Sequence, residues 1–179
     1  MEIVDISTLN ESQRRQAAQM LTDELPMGWP TLVEAIDEVN ELLNNEPDFL
    51  LLAAVDNGEM LGWCGMQPHY DGKVFELHPL VVRHDWQRKG IGTALLNAIE
   101  KAARGKGGLT FWVGADDENG ETSFANTDLY DDLPKHIREF EPGTHQSAFY
   151  LKRGFRIVGA MPDANGKGKP DIFLAKSLA

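Results

Sequence analysis

One stretch, from Phe75 to Lys106, constrains the fold of this chain more than any other. It opens with an apolar run that predicts a buried strand and closes with apolar residues at helical spacing, which predict an amphipathic helix. The apolar residues of this stretch are Leu77, Leu80, Val81 and Val82 in the strand and Leu95, Leu96, Ile99 and Ala103 in the helix. A short basic turn with two glycines, residues 87–93, separates the two elements. The chain is therefore predicted to start a helix directly after a central strand.

The turn has the properties of an anion site. The first N–H groups of a helix have no partner within it and lie at the positive end of its dipole, so several can bind one phosphate. Gly90 and Gly92 allow a ligand to approach the backbone, and Arg88 and Lys89 add positive charge. Residues 83–106 carry a net charge of +4, although the whole chain carries −11. The turn is thus a candidate phosphate site.

Two common phosphate-binding motifs do not fit these residues. A P-loop needs a lysine and then a serine or threonine after its last glycine, but Thr93 and Ala94 follow Gly92. A dinucleotide fingerprint needs a third glycine where Leu95 stands. A plain strand–turn–helix connection with a basic surface is the structural alternative, and it leaves the paired glycines unexplained.

The turn resembles the coenzyme A pyrophosphate loop of the GNAT superfamily of N-acetyltransferases. That loop has Gln or Arg, two residues of any type, Gly, one residue of any type, and Gly or Ala; Gln87, Gly90 and Gly92 occupy the matching positions. The resemblance implies that acetyl-CoA is the cosubstrate and that it is bound by Leu80, Val81, Val82, Gln87, Arg88, Lys89, Gly90, Ile91, Gly92, Thr93 and Tyr150.

Further elements are predicted on both sides of this unit. Upstream they are a strand at 3–6, helices from Ser12 to Leu25 and from Thr31, and a hairpin of 49–55 with 60–67; downstream they are a strand at 109–114, a short helix at 147–153, and strands at 155–159 and 172–178. Thr31 and Glu34 have the spacing of a capping box, and the second helix is predicted to bury Val33, Ile36, Val39 and Leu43.

The order of these elements predicts the fold class. Because a helix crosses over from the central strand to the strand at 109–114, these two strands should be parallel, which makes the sheet mixed. The predicted class is α/β, with a central mixed sheet (α+β) flanked by helices in the GNAT-type N-acetyltransferase fold. A chain of 179 residues suits a single domain over residues 1–179.

Composition excludes several other classes. The net charge of −11 argues against nucleic acid and suits a cationic partner. No apolar stretch approaches the roughly 20 residues of a membrane span, and no signal sequence opens the chain, so we expect a cytoplasmic protein without a membrane partner. The single cysteine, Cys64, excludes an internal disulfide and is predicted to lie in the core rather than to act as a nucleophile. The histidines show no ligand spacing, so no metal is expected.

Longer sequence segments narrow the resemblance to one branch of this superfamily. The segments 76–82, 127–130, 157–159, 164–166 and 169–172, together with Pro162, are similar to those of the bacterial aminoglycoside 6′-N-acetyltransferases, and the similarity extends over nearly the whole chain from Phe49. It implies an acetyl-CoA-dependent enzyme that transfers acetyl directly to the 6′-amine of aminoglycoside antibiotics and so gives resistance. It also suggests a homodimer. Other acceptors stay open, namely a polyamine, a protein N-terminus or a lysine, and so does a module that binds acetyl-CoA without chemistry.

Acetyl transfer to an amine needs a base, a polarised thioester carbonyl and a proton for the departing thiolate. Glu76 is the candidate base, with a strand-edge salt bridge as the structural alternative. His78 follows on the same strand face, as a second pocket residue or as a partner that orients Glu76. The N–H groups of residues 80–82 could polarise the carbonyl if the strand is irregular at Pro79. Tyr150 could protonate the sulfur, or could be a buried hydroxyl that ties a helix to the sheet.

An acidic stretch is the candidate acceptor site. Residues 116–145 contain nine acidic residues against Lys135 and Arg138, a net charge of −7. Such a run is either a solvated surface or, beside the cofactor, a wall that binds cations. We expect Asp116 and Asp117 at the mouth of the site. Trp29 and Tyr70 could flank the sugar rings, although Trp29 could equally cap the core.

Overall fold

The computed structural model describes residues 1–44 and 49–179, which form two compact units. The first unit comprises Met1–Leu109 and Leu178–Ala179, and the second comprises Thr110–Ser177. The single domain over residues 1–179 stays a prediction. None of the helices in the described part of the chain is both long and apolar enough to cross a membrane.

The first unit contains a four-stranded antiparallel sheet and three helices. Its strands are β1 (Glu2–Asp5), β2 (Leu50–Asp56), β3 (Glu59–His69) and β4 (Val74–Val82), which pair in that order. Its helices are α1 (Glu11–Glu24), α2 (Leu32–Asn44) and α3 (Ile91–Gly105), with short 3₁₀ turns at Ile6–Thr8 and His84–Trp86. The predicted strands, hairpin and helices of this region are thus present.

Local sequence signals set the starts of α1 and α2. The Asn10 side chain accepts a hydrogen bond from the Gln13 backbone N–H, and the Gln13 side chain accepts one from the Asn10 N–H. The predicted capping box of α2 is confirmed, since the Thr31 N–H donates to the Glu34 carboxylate and the Glu34 N–H donates to the Thr31 hydroxyl. Both helices therefore begin where their side chains satisfy the first backbone donors.

The buried face of α2 differs from the prediction: of the residues expected there, Val39 is buried, Ile36 and Leu43 are partly buried, and Val33 is exposed. Ala35, Val39 and Leu42 are buried, at the spacing of one helix face, whereas Val33 is 69% exposed. The expected burial of Val33 is wrong because it lies two residues before Ala35, which places it about 200° around the helix and away from the core. The core that α1 and α2 cover contains the fully buried Trp63, whose indole N–H donates to the Ala17 carbonyl at 3.0 Å.

The β3–β4 hairpin carries the candidate catalytic residues. Burial alternates along β4, which places Glu76, His78 and Leu80 on one partly exposed face and confirms that His78 shares the face of Glu76. The register with β3 shifts between the pairs Met66–Leu77 and Cys64–Leu80. The irregularity predicted at Pro79 is therefore confirmed.

The second unit is a three-stranded antiparallel sheet with two short helices. Its strands are β5 (Thr110–Asp116), β6 (Arg156–Met161) and β7 (Asp171–Ser177), with β7 in the middle, and its helices are α4 (Leu133–Arg138) and α5 (Ser147–Leu151). No helix was expected at α4. It forms because the Asp132 side chain accepts a hydrogen bond from the Lys135 N–H. A proline stands in its first turn, where the missing N–H costs no helical hydrogen bond.

Candidate active site

The turn after β4 has the backbone geometry that an anion site requires. Gly90 caps α3 with φ 89° and ψ −4°, a left-handed conformation that glycine adopts without strain. The Ala94 N–H donates to the Gly90 carbonyl at 3.0 Å and closes the first turn of the helix, so the N–H groups of Ile91 and Gly92 project from the helix start. Arg88 and Lys89 are exposed beside them. These features could hold a diphosphate.

Two tethers hold this turn in place. The Gln87 side-chain amide donates to the Val82 carbonyl at 3.0 Å and to a Glu24 carboxylate oxygen at 3.3 Å. The other Glu24 oxygen accepts from the His84 backbone N–H at 2.7 Å. The turn is thus fixed to the end of β4 and to the last residue of α1. Glu24 was not identified from the sequence, because it lies 63 residues before Gln87.

Strand β4 directs two of its three candidate amides away from β3. The Arg83 N–H donates to the Leu61 carbonyl, which makes these residues a hydrogen-bonded pair of the β3–β4 ladder. Such pairs alternate along an antiparallel ladder. The backbone N–H of Val81 therefore also points toward β3, whereas the N–H groups of Leu80 and Val82 point toward the opposite edge of β4. Leu80 and Val82 are therefore the amides that could meet a thioester carbonyl or the pantetheine arm.

The Glu76 carboxylate is held by a histidine that the sequence did not indicate. His69 Nε2 lies 2.8 Å from Glu76 Oε2, and the two side chains are 39% and 21% exposed. His78, expected either as a second pocket residue or as a partner that orients Glu76, makes a different contact. In the hairpin register Glu76 pairs with Gln67, so His69 is its diagonal neighbour on the same face. The turn signal at residues 71–72 could have revealed this neighbour had the register been derived from it.

His78 belongs to a cluster with Glu38 and Trp29. His78 Nε2 lies 3.3 Å from Glu38 Oε1, and the His78 and Trp29 rings lie 5.8 Å apart at 53°. The hydrogen bond from His78 lowers the pKa of Glu38 despite its partial burial, and a hydrogen bond from Trp29 adds to the effect. Trp29 also packs against the core, so both of its predicted roles are compatible with its position. Glu38 was not identified from the sequence.

Tyr70 stands in the tight turn of the hairpin. It is 79% exposed and has φ 50°, and the Lys73 N–H donates to its carbonyl at 3.1 Å. Its ring is thus presented to solvent one residue after His69.

In the second unit, Asp116 and Asp117 have different environments. Asp116 is exposed at the end of β5, where its carboxylate accepts a hydrogen bond from the Asn165 side chain. Asp117 is completely buried, and its carboxylate accepts hydrogen bonds from the Glu121 N–H, the Thr122 N–H and the Thr122 hydroxyl at 2.7–2.9 Å. We expected Asp117 at the mouth of the site, and this expectation does not match its burial. Its carboxylate oxygens already accept hydrogen bonds from neighbouring residues.

The pKa of Asp117 reflects the same contacts. Burial acts to raise it, but the hydrogen bonds from the Glu121 backbone and from the Thr122 hydroxyl and backbone outweigh burial and lower the pKa. Asp117 is therefore a charged residue that organises its own loop.

A buried histidine links Asp116 to the helix that carries Tyr150. His145 Nε2 donates to the Asp116 carbonyl at 3.0 Å, and its Nδ1 accepts from the Ser147 hydroxyl at 3.1 Å at the start of α5. Tyr150 is 4% exposed and its ring packs 5.6 Å from Phe155, as expected of a buried aromatic residue. His145 and Ser147 were not identified from the sequence.

Two further expectations concern metal ligands and cysteine. Within residues 1–44 and 49–179, His, Cys, Asp and Glu side chains form no group of three or more that could hold a metal ion. Cys64 is fully buried, burial raises its thiol pKa, and the S–H group lies 3.9 Å from the Leu95 carbonyl. Its interpretation as a core residue is confirmed.

Comparison with known proteins places these features in a family. A family model described as "Acetyltransferase (GNAT) family" matches residues 8–126. The aminoglycoside N(6′)-acetyltransferase type 1 of Klebsiella aerogenes is 34% identical over 94 residues, which are 46% of this chain and 62% of that relative. The match therefore spans less than two thirds of the relative's length.

Two solved structures are similar over the whole chain. A crystal structure of an aminoglycoside 6′-N-acetyltransferase complexed with coenzyme A is 35% identical with a TM-score of 0.91, and that of the Enterococcus faecium aminoglycoside 6′-N-acetyltransferase is 36% identical with a TM-score of 0.90. Each match covers 100% of this chain and 98% of the other. The predicted fold class, a mixed α/β sheet flanked by helices, is thereby confirmed. Since the family model matches more than half of its residues, the chain belongs to the GNAT family of acetyltransferases.

Proposed function

We propose that this protein transfers the acetyl group of acetyl-CoA to the 6′-amine of aminoglycoside antibiotics and so gives resistance to them. The observation that carries the proposal is the similarity, over the full chain, to two solved structures named for this activity. The acidic stretch of residues 116–145 supports a polycationic acceptor, and the basic turn before α3 supports an anionic cosubstrate.

In the proposed reaction the acceptor attacks the thioester directly. Glu76 takes a proton from the acceptor ammonium, so that the neutral amine can attack the carbonyl carbon. The N–H groups of Leu80 and Val82 stabilise the negative charge that develops on the carbonyl oxygen. When the carbon–sulfur bond breaks, the Tyr150 hydroxyl gives its proton to the departing thiolate, and the nitrogen gives its remaining extra proton to the Tyr150 oxygen as it becomes an amide. The amine thus gains the acetyl group, coenzyme A leaves as the free thiol, and Glu76 releases the proton that it took to solvent.

The acceptor is held by charge and by aromatic surface. Asp116 supplies an exposed carboxylate, and Trp29, with Tyr70, supplies rings on which a sugar can stack. Asp117 shapes the loop that carries Asp116 and does not itself contact the acceptor. The proposal includes a cytoplasmic location, where acetyl-CoA is available, and a homodimer, which rests on the resemblance alone. It assigns no nucleic-acid or membrane partner.

The proposal is tested by identifying which class of acceptor the protein acetylates. Purified protein with acetyl-CoA should release free thiol in the presence of kanamycin and acetylate its 6′-amine, as identified by mass spectrometry and NMR. An analogue with a hydroxyl at the 6′ position should inhibit but should not react. Acetylation of spermidine or of peptides alone, or of kanamycin at another amine, would replace the proposed substrate. Binding of acetyl-CoA without transfer to any of these acceptors would indicate a binding module.

A further inference from the structure

We propose that His69 is a positioning residue for acetyl transfer, which holds the Glu76 carboxylate through Oε2 and leaves Oε1 as the oxygen that takes the proton. The inference rests on the proposed function, because His69 acts through Glu76. His69 is assigned no contact with the acceptor or with the cosubstrate.

The geometry of the hairpin supports this role. His69 is the last residue of β3 and Glu76 is the third residue of β4, and their side chains meet at 2.8 Å across a four-residue turn. The Gly72 N–H donates to the His69 carbonyl at 3.1 Å, so the backbone of His69 is itself held by the turn. Both members of the pair therefore stand on one hydrogen-bonded hairpin, which limits the movement of the carboxylate.

The contact has the properties of a positioning bond. A base acts only when its oxygen lies within about 2.6–3.2 Å of the donor, so a carboxylate that rotates freely spends less time in a reactive position. A hydrogen bond to an ionised carboxylate is short and strong, which restrains that rotation. Hydrogen-bonded side-chain pairs as exposed as this one contribute little to stability. A large effect of His69 on turnover, with a small effect on folding, would thus identify positioning.

The test is a double-mutant cycle on turnover with acetyl-CoA and kanamycin. His69→Ala should lower kcat by about ten- to hundredfold, the range that misplacement of a catalytic group spans, and should leave the KM for acetyl-CoA within about twofold. Glu76→Gln should lower kcat as well, and the double variant should be no slower than Glu76→Gln alone, because His69 has no role without the carboxylate. His69→Gln keeps an N–H donor and should recover part of the lost turnover.

A matched control separates positioning from the loss of any side-chain hydrogen bond to a carboxylate. The Gln19 side-chain amide donates to the Asp23 carboxylate at 2.8 Å on α1, and Gln19→Ala should leave kcat unchanged. Thermal unfolding of each variant identifies any that fails to fold, and His69→Gln then replaces His69→Ala in the cycle.

Two results would overturn the inference while leaving Glu76 as the base. They are an unchanged kcat in His69→Ala, and a double variant whose loss is the product of the two single losses. An unchanged kcat in Glu76→Gln would remove the proposed base and this inference together. The two failures are therefore distinguishable.

Discussion

The four carboxylates of Glu38, Glu76, Asp116 and Asp117 have four different environments. Glu38 is held by His78 and lies half-buried, and Glu76 is held by His69. Asp116 is exposed at the end of a strand, whereas Asp117 is enclosed by donors from its own loop. We propose that these differences correspond to different roles: base for Glu76, cation contact for Asp116, and support for the other two.

Glu38 provides a pH-dependent test of its cluster. Its pKa is lowered from the usual 4.5, chiefly by the hydrogen bond from His78. Because the folded pKa lies below the unfolded value, ionised Glu38 stabilises the fold above pH 4.5, and this contribution is lost as the pH falls through the folded pKa. Glu38→Gln should therefore be less stable than the parent at neutral pH, by up to about 1 kcal/mol for this partly exposed pair.

Urea denaturation at neutral pH and at successively lower pH measures this difference in the free energy of unfolding. The gap between parent and Glu38→Gln should narrow as the pH falls below 4.5. Glu41→Gln, an exposed position on the same helix, should show no such change. A gap that stays constant over the whole range would contradict the role assigned to the His78–Glu38 hydrogen bond.

Asp117 should behave as a structural residue. Asp117→Ala removes the acceptor of three hydrogen bonds and leaves buried donors on residues 121 and 122, which should lower the free energy of unfolding by about 2 kcal/mol. Asp116→Ala, at an exposed neighbour, should have a much smaller effect. Chemical denaturation compares the two variants, and equal losses of stability would show that burial does not separate their roles.

At the scale of elements, the start of α3 brings together features from three parts of the chain. Gly90 supplies the left-handed residue that begins the helix, the end of β4 accepts a hydrogen bond from Gln87, and Glu24 at the end of α1 holds the same side chain. The turn is therefore ordered by packing as well as by its glycines. A preorganised turn binds a diphosphate with a smaller entropic cost.

The two glycines of α3 allow a matched test of the cofactor turn. Gly92→Val places a branched side chain on the first turn of the helix, where it should block the approach of coenzyme A and weaken its binding at least about tenfold, or about 1.4 kcal/mol. The helix should persist, because valine has a higher helix propensity than glycine. Gly105→Val, at the other end of α3, should bind coenzyme A normally, since a Cβ there meets no atom within 4 Å. Isothermal calorimetry measures both, and equal affinities would place the cofactor elsewhere.

At the scale of the whole molecule, charge is unevenly distributed along the chain. Residues 83–106 carry +4 and residues 116–145 carry −7, within a total of −11. An anionic cosubstrate and a cationic acceptor need opposite local charges, and this chain supplies them in separate segments. Charge segregation of this kind favours fast encounter with both ligands at low salt.

Raising the salt concentration should therefore weaken the binding of the cationic acceptor more than the binding of a neutral substrate. Between about 0.01 M and 0.1 M ionic strength the screening length falls from about 30 Å to about 10 Å, so the KM for kanamycin should rise several-fold. Asp116→Asn should raise this KM at low salt and flatten its salt dependence, with the KM for acetyl-CoA nearly constant. Glu139→Gln makes the same charge change at another exposed position and should leave most of the dependence in place. Identical salt profiles for all three proteins would exclude Asp116 as a substrate contact.

Several features of this protein follow from its sequence alone. The alternation along β4, the capping box of α2 and the paired glycines at the start of α3 are local signals, and the expected element forms at each of them. The family resemblance depends on the same short-range patterns. They are readable because strand period, helix caps and glycine conformations depend on neighbouring residues.

Only the tertiary structure decided how the polar side chains are paired. The contact of His69 with Glu76 depends on the register of a hairpin, and that of Glu24 with Gln87 joins residues far apart in the chain. The sequence alone could not distinguish the buried Asp117 from the exposed Asp116, because both lie in one acidic run. Such partners are set by packing and register over long sequence separations, which no local pattern encodes.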